Sequence, residues 1–158
     1  MEPITLRPAV PRDVPGITAC VCEAYTPLIE RIGRQPGPMV DDYMDVLRHC
    51  QVHVATTGDK VIGVVVLAAT HDGLRLDNVA VRPVAKGKGI GRMLMEFAEM
   101  EAKRQGYDSI YLYTNERLEE NIELYSRMGY VEYERRPDCG FPRVFMRKPL
   151  NGRASRPS

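Results

Sequence analysis

Asp77-Asn78-Val79-Ala80-Val81-Arg82-Pro83, then Val84-Ala85-Lys86-Gly87-Lys88-Gly89-Ile90-Gly91-Arg92, then a helical pattern closed by Gly106, read as strand, glycine loop and helix. Alternate glycines at Gly87, Gly89 and Gly91 remove the Cβ atoms that keep a ligand off the backbone, so successive N–H groups can converge on an anion. The helix that follows adds its own unpaired N–H groups and the positive end of its dipole. Lys86, Lys88 and Arg92 bring cationic side chains to the same point, which suits a pyrophosphate better than a single carboxylate. The stretch therefore predicts a phosphate-bearing cofactor.

Two common nucleotide loops do not fit. A P-loop needs Gly-x-x-x-x-Gly-Lys-Ser/Thr, and here Gly91 is followed by Arg92 and Met93. A dinucleotide fingerprint needs Gly-x-Gly-x-x-Gly, and the third glycine falls one place early. Val81, Pro83, Lys86, Gly89 and Gly91 do fall on Val-x-Pro-x-x-Gln/Arg-x-x-Gly-x-Gly/Ala, the coenzyme A loop of the GNAT N-acetyltransferases. The chain resembles that superfamily from Ile4 to about Leu150, most specifically over Val79 to Arg92 and Asn121 to Tyr130. Lys86 departs from the usual Gln or Arg, a mild change where backbone N–H groups do most of the binding.

Composition limits the alternatives. With 158 residues, 44% of them hydrophobic, the chain suits one compact domain over 1–150 with a solvated tail over 151–158. A net charge of +1, from 22 basic and 21 acidic residues, gives no global field to recruit nucleic acid or an anionic membrane. No apolar run approaches the roughly 20 residues of a membrane span, and Met1-Glu2-Pro3 does not open a signal peptide, so a cytoplasmic location is expected. Cys20, Cys22, Cys50 and Cys139 form no Cys-x-x-Cys pair, and His49, His53 and His71 are scattered, so neither a metal site nor a Ser/His/Asp triad is expected.

In chain order, Ile4 to Arg7 reads as a strand, Asp13 to Ala24 as a helix, Tyr25 to Met39 as a Pro/Gly-rich loop with a single turn near Leu28 to Ile32, and Val40 to Cys50 as a second helix. Val52 to Thr56, Val61 to Ala69 and Leu74 to Arg82 follow as a meander, turning at Gly58-Asp59 and at Asp72-Gly73. After the loop and its helix, Ser109 to Thr114 is expected parallel to Leu74 to Arg82. A helix over Leu118 to Met128 precedes two antiparallel strands, Tyr130 to Arg135 and Val144 to Lys148, joined by a loop over Arg136 to Pro142. The resemblance implies an α/β (α+β) GNAT fold: a central mixed, mostly antiparallel sheet of six to seven strands with a splayed parallel pair, flanked by four helices.

What the resemblance implies for chemistry is acetyl-coenzyme A as co-substrate, an amine as acceptor and no metal; a homodimer is compatible with it. The strand edge of Val79, Ala80 and Val81 would meet the pantetheine arm. Lys86, Gly87, Lys88, Gly89, Ile90, Gly91 and Arg92 would hold the pyrophosphate. Leu124-Tyr125-x-x-x-Gly129-Tyr130 resembles the family's Leu-Tyr-x-x-x-Gly-Phe, whose tyrosine protonates the departing thiolate, which assigns that role to Tyr125. Where many relatives carry a pantetheine-contacting asparagine, seven residues before this tyrosine, the chain has Leu118; Asn121, one helical turn before Tyr125 on the same face, could replace it. Tyr113 and Asp77 are the candidates for the base. Tyr25, Arg31 and Arg34 in the first loop are candidates for acceptor binding; with Arg135, Arg136 and Arg143 in the last, the arginines either favour an amine that also bears a carboxylate or are solvated surface. A non-catalytic acyl-coenzyme A sensor would need the loop but no acid at the sulfur, so Tyr125 favours an enzyme. A protein or ribosomal N-terminal amine stays open beside a small-molecule acceptor.

Overall fold

A computed structural model describes residues 3–150; the expected tail over Asn151 to Ser158 lies outside the described residues. The elements are β1 (Ile4–Pro8), α1 (Val14–Tyr25), α2 (Ile29–Ile32), α3 (Gly37–Val40), α4 (Tyr43–His49), β2 (Gln51–Thr57), β3 (Lys60–Thr70), β4 (Gly73–Val81), α5 (Ile90–Arg104), β5 (Ser109–Asn115), α6 (Glu119–Arg127), β6 (Val131–Asp138) and β7 (Phe141–Pro149). The strands form a seven-stranded mixed sheet in the order β1-β2-β3-β4-β5-β7-β6, with one parallel pair, β4 and β5. This is the expected fold class. Two compact units divide the described chain, one of residues 3–68 with 77–98, the other of 69–76 with 99–150.

In the first unit, β1 to β3 are antiparallel neighbours. Ile17, Cys20 and Val21 of α1 pack with Tyr43 of α4 on Val52, Val54, Val61, Val64, Val66 and Ala80, whose β-branched side chains suit a pleated buried surface. Gly63 serves the opposite face: a Cβ there would come within 3.1 Å of Ile90 and Leu94, so its absence lets the start of α5 close on the sheet. The second helix starts later than the sequence pattern suggests. Asp42, in extended conformation, accepts from the Met44 N–H and so caps α4 at Tyr43, while Val40, 65% exposed, ends the separate turn α3 rather than joining an apolar stripe.

The end of β4 is anchored by a buried arginine. Arg82 donates from Nε to the Val61 carbonyl at 2.6 Å, from Nη1 to Glu23 at 2.6 Å and from Nη2 to the Gly16 carbonyl at 3.4 Å. Its own N–H bonds the Ile62 carbonyl at 2.9 Å. One side chain thereby ties β4 to β3 and to α1 just before the glycine loop.

In the second unit, β5 runs antiparallel to β7, and β7 to the edge strand β6. The parallel ladder of β4 with β5 has two rungs, Leu74–Ile110 and Arg75–Tyr111, although β4 continues to Val81 and β5 to Asn115. The expected loop over Arg136 to Pro142 is instead strand and turn: Pro137 pairs with Pro142, and Cys139 and Gly140 take positive φ of 53° and 81°. Two successive left-handed residues suit the right-handed twist of a tight hairpin. Pro137 sits on the edge strand, where a missing N–H is tolerated.

Arg82→Met removes three donors and leaves two carbonyls without them, while half-exposed Glu23 turns to water. Thermal and urea unfolding should show a loss of about 2–3 kcal/mol, a fall in Tm of roughly 4–10 °C. An unchanged Tm would show that the anchor is dispensable.

Candidate functional site

The glycine loop lies between β4 and α5 in the first unit. The Ala85 and Lys86 N–H groups close a turn on the Arg82 and Pro83 carbonyls, and the bond from Met93 N to Gly89 O, 3.0 Å, opens the helical ladder. The amides of Gly87 through Arg92 precede that ladder, the segment in which helix N–H groups lack intrahelical acceptors. Gly87 and Gly89 have φ of +85° and +79°, and a Cβ built on either meets nothing within 4 Å, so both hydrogens point into open space. Gly91 differs: its φ is not left-handed, and a Cβ would make an ordinary 3.9 Å contact with Val81. Lys86, Lys88 and Arg92 are exposed around the loop, whereas the Ile90 side chain is 2% exposed and belongs to the core, leaving only its backbone for a ligand.

Upstream on β4, Asn78 holds together a chain of side chains that the sequence pattern does not reveal. The Tyr25 hydroxyl donates to Asn78 Oδ1 at 2.8 Å and approaches the Val79 carbonyl at 3.3 Å. Asn78 Nδ2 donates to the Tyr43 hydroxyl at 3.1 Å, which donates to the Pro38 carbonyl at 2.7 Å. Tyr25, read from sequence as an acceptor-loop residue, is thus engaged with the strand itself. Ala80 is buried under α1 and can offer only its backbone. Burial, and then the charge of Asp77, hold the Asp41 carboxyl above its ordinary value; burial and the same two aspartates raise the Tyr43 phenol. Asp41 is a titratable neighbour of Asp77 that sequence reasoning missed, since only the fold makes them neighbours. Arg31 lies within α2 and Arg34 follows it, both exposed.

In the second unit, Tyr125 stands on α6 with its ring edge-on to Tyr130, centroids 6.0 Å apart. Burial pushes the Tyr125 phenol above its ordinary value by disfavouring the phenolate. The Tyr130 phenol is also raised, by burial first and then by Glu99 and Tyr125. Its buried hydroxyl and Glu99 Oε2 make no hydrogen bond, while Glu99 Oε1 accepts from Lys148 at 2.9 Å. Asn121, half-buried in the first turn of α6, lies one turn before Tyr125.

Tyr113 lies elsewhere in this unit, in a groove of about 260 Å³ on the face of the sheet formed by β5, β7 and β6. The register sets Tyr111 opposite Arg147 and Tyr113 opposite Phe145, so two aromatic and cationic rows share one face. Tyr113 lies 5.5 Å from Phe145 and carries the guanidinium of Arg143 over its ring at 4.0 Å and that of Arg75 at 5.5 Å. Arg136 covers Phe145 at 4.2 Å. Arg136 and Arg143, expected on a loop, are therefore held on strands. Arg135 points away into exposed pairs with Glu132 and Glu116.

Among the described residues no group of three or more His, Cys, Asp or Glu could hold a metal ion, and no helix is long and apolar enough to cross a membrane. All four cysteines are free thiols; burial pushes that of Cys20 up to about 11.

Comparison with known proteins gives these likenesses. A family model described as an acetyltransferase (GNAT) domain matches residues 48–132. The chain is 30% identical over 93 residues to the uncharacterized N-acetyltransferase YvbK of Bacillus subtilis (strain 168), covering 58% of each chain. It is 32% identical over 89 residues to the mycothiol acetyltransferase of Jonesia denitrificans, covering 53% of this chain and 28% of that one. The matches thus span 58% or less of these curated relatives. In fold it is similar to the ribosomal-protein-S18-alanine N-acetyltransferase of Escherichia coli, with TM-score 0.75 at 19% identity and 94% of each chain covered. It is also similar to the PaiA N-acetyltransferase of Thermoplasma acidophilum in complex with coenzyme A, with TM-score 0.75 at 16% identity and coverage of 93% of this chain and 99% of that one.

Asn78→Leu keeps the volume but removes the side chain that bridges the two tyrosine hydroxyls, leaving each with one backbone carbonyl. A destabilisation of about 1–3 kcal/mol is expected in chemical denaturation; a change under about 0.5 kcal/mol, the range of neutral substitutions, would mean that the chain of bonds carries no stability.

Proposed function

The chain belongs to the GNAT acetyltransferase family, and from that premise we propose that it moves the acetyl group of acetyl-coenzyme A to a primary amine by direct transfer in a ternary complex. The observation that carries this reading is the loop. Left-handed Gly87 and Gly89, with open space where each Cβ would stand, precede a fifteen-residue helix and form the cradle a pyrophosphate needs. Lys86, Lys88 and Arg92 add charge at its rim. The backbone of β4 at Val79 and Val81 supplies donors and acceptors to the pantetheine arm in the manner of an added strand, and Asn121 is a further polar contact for it.

In the proposed reaction, the neutral amine nitrogen attacks the thioester carbonyl, a C–N bond forms, the C–S bond breaks, and the departing thiolate takes the proton of the Tyr125 hydroxyl. The nitrogen loses its proton to the carboxylate of Asp77, with Asp41 beside it, or by way of the Tyr113 hydroxyl, which takes it as its own proton passes to solvent. The Tyr125 phenol carries a proton at neutral pH, as phenols do, and so has one to give to the departing thiolate. A second reading, an acyl-coenzyme A sensor, draws on the same loop and gives Tyr125 only a packing role against Tyr130.

Calorimetry with coenzyme A tests the loop. Gly89→Val should abolish binding, both through its positive φ and because its side chain fills the cradle, whereas Lys86→Ala should weaken it by only about 1 kcal/mol. Gly91→Ala, which the fold accommodates, reports the ligand alone, so a weakened affinity at unchanged Tm is expected. Normal binding by Gly89→Val would remove the basis of the assignment.

Steady-state kinetics separate enzyme from sensor. Tyr125→Phe keeps the ring and loses the acid, so kcat should fall by about 10² to 10⁴ while coenzyme A affinity and the acceptor KM hold. Wild-type turnover by Tyr125→Phe would assign the proton to another donor.

A further inference from the structure

The groove beside Tyr113 contains arginines in two different electrostatic situations. Arg136 is met by Glu134 at 2.8 Å and Asp138 at 3.8 Å, and Arg143 by Asp138. Arg147 is met by neutral groups. Its Nη1 donates to Ser109 Oγ at 2.9 Å and its Nη2 to the Asp72 backbone carbonyl at 3.1 Å, and the guanidinium lies 4.9 Å from the Tyr111 ring and 5.5 Å from the Tyr133 ring. The Asp72 carboxylate is directed to His71, 3.6 Å from its Nε2. Among the described residues no carboxylate stands within ion-pair distance of Arg147.

This cation is also held in place. Gly73 leaves room for it, since a Cβ there would stand 3.4 Å from Nη1. Tyr111 beneath it is fixed by a 2.8 Å bond between its hydroxyl and Thr70 Oγ1. A guanidinium has five N–H donors, and those used on Ser109 and Asp72, with the Tyr133 hydroxyl beside them, leave at least two. A half-buried, braced guanidinium on aromatic faces lacks only its anion, and its planar fork fits a carboxylate with two parallel bonds. The groove's 260 Å³ lies just under the roughly 300–1,000 Å³ of small-molecule pockets, which suits one small metabolite.

We propose that this groove is the acceptor pocket and that the acceptor is a small amine bearing a carboxylate, held by Arg147 while its carbon skeleton lies on Tyr113 and Phe145. The proposal rests on the acetyl-transfer reading, whose acceptor it names by class.

The test uses the full chain and a panel of amino acids, each paired with its decarboxylated amine. Binding is measured by calorimetry without coenzyme A, and acetylation by thiol release from acetyl-coenzyme A. At least one amino acid should bind and be acetylated with a kcat/KM about ten- to a hundredfold above that of its paired amine, the range of a charge-assisted hydrogen bond. Arg147→Met should abolish this preference while keeping the circular-dichroism spectrum of the folded chain, at a Tm lowered by the loss of its bonds to Ser109 and Asp72, and Arg147→Lys should restore part of the preference. If Arg147→Met fails to fold, Tyr113→Leu, which removes part of the floor, should weaken binding of the same amino acid several-fold in calorimetry without coenzyme A, a readout that a role as proton acceptor does not move. Equal use of amino acids and their amines, or a preference that survives in Arg147→Met, would overturn the proposal and leave acetyl transfer standing. Binding of amino acids that depends on Arg147, with no acetylation of the bound molecules, would overturn the groove's role as acceptor pocket. Failure to bind coenzyme A would instead count against the acetyl-transfer reading itself.

Discussion

A buried guanidinium fixes where β4 stops, and the glycine loop depends on that. Arg82 hydrogen-bonds the Val61 and Gly16 carbonyls and pairs with Glu23, so the strand's end is tied to β3 and α1 together. Immediately after it the backbone makes a single turn at Pro83 to Ala85 and enters two left-handed glycines. A loop of that composition has high conformational entropy, and a binding cradle made of backbone amides works only when their directions are fixed. The rigid anchor lies on one side of the loop and the core-buried Ile90 of α5 on the other.

Burial also sets the proton chemistry. Tyr125, Tyr130 and Tyr43 are all raised by loss of solvent, but their hydroxyls are used differently. That of Tyr43 is engaged between Asn78 and Pro38, a structural link of α3 and α4 to β4. That of Tyr130 is buried beside the Glu99–Lys148 pair, and the charge of Glu99 helps to raise it. Its ring stands edge-on to that of Tyr125.

The arginines show how pairing separates structural from available charge. Counted by sequence, Arg135, Arg136, Arg143 and Arg147 look alike. In the fold, Arg135 forms exposed ion pairs that contribute little. Arg136 and Arg143 are neutralised by Glu134 and Asp138 while packing on Phe145 and Tyr113. Arg147 keeps its charge among neutral oxygens and rings, the situation in which an added anion gains most.

Local patterns carried much of the fold. The strand, glycine loop and helix over Asp77 to Gly106, the Gly58-Asp59 hairpin and the helix bearing Tyr125 were legible because each depends on neighbours a few residues away: φ preferences, caps and periodicity. The starts of α4 and the hairpin at Cys139 and Gly140 were less so, the first because Asp42 outcompeted the apolar stripe as a cap, the second because a left-handed cysteine is not a recognisable turn signal. The sequence by itself determined the backbone cradle and the family pattern around it. Only tertiary structure decided that Tyr25, Asn78 and Tyr43 form one chain of hydrogen bonds, that Asp41 is a neighbour of Asp77, and that Arg147 and Tyr113 line one groove. These side chains lie tens of residues apart, and strand register and burial, which long-range pairing alone sets, bring them together.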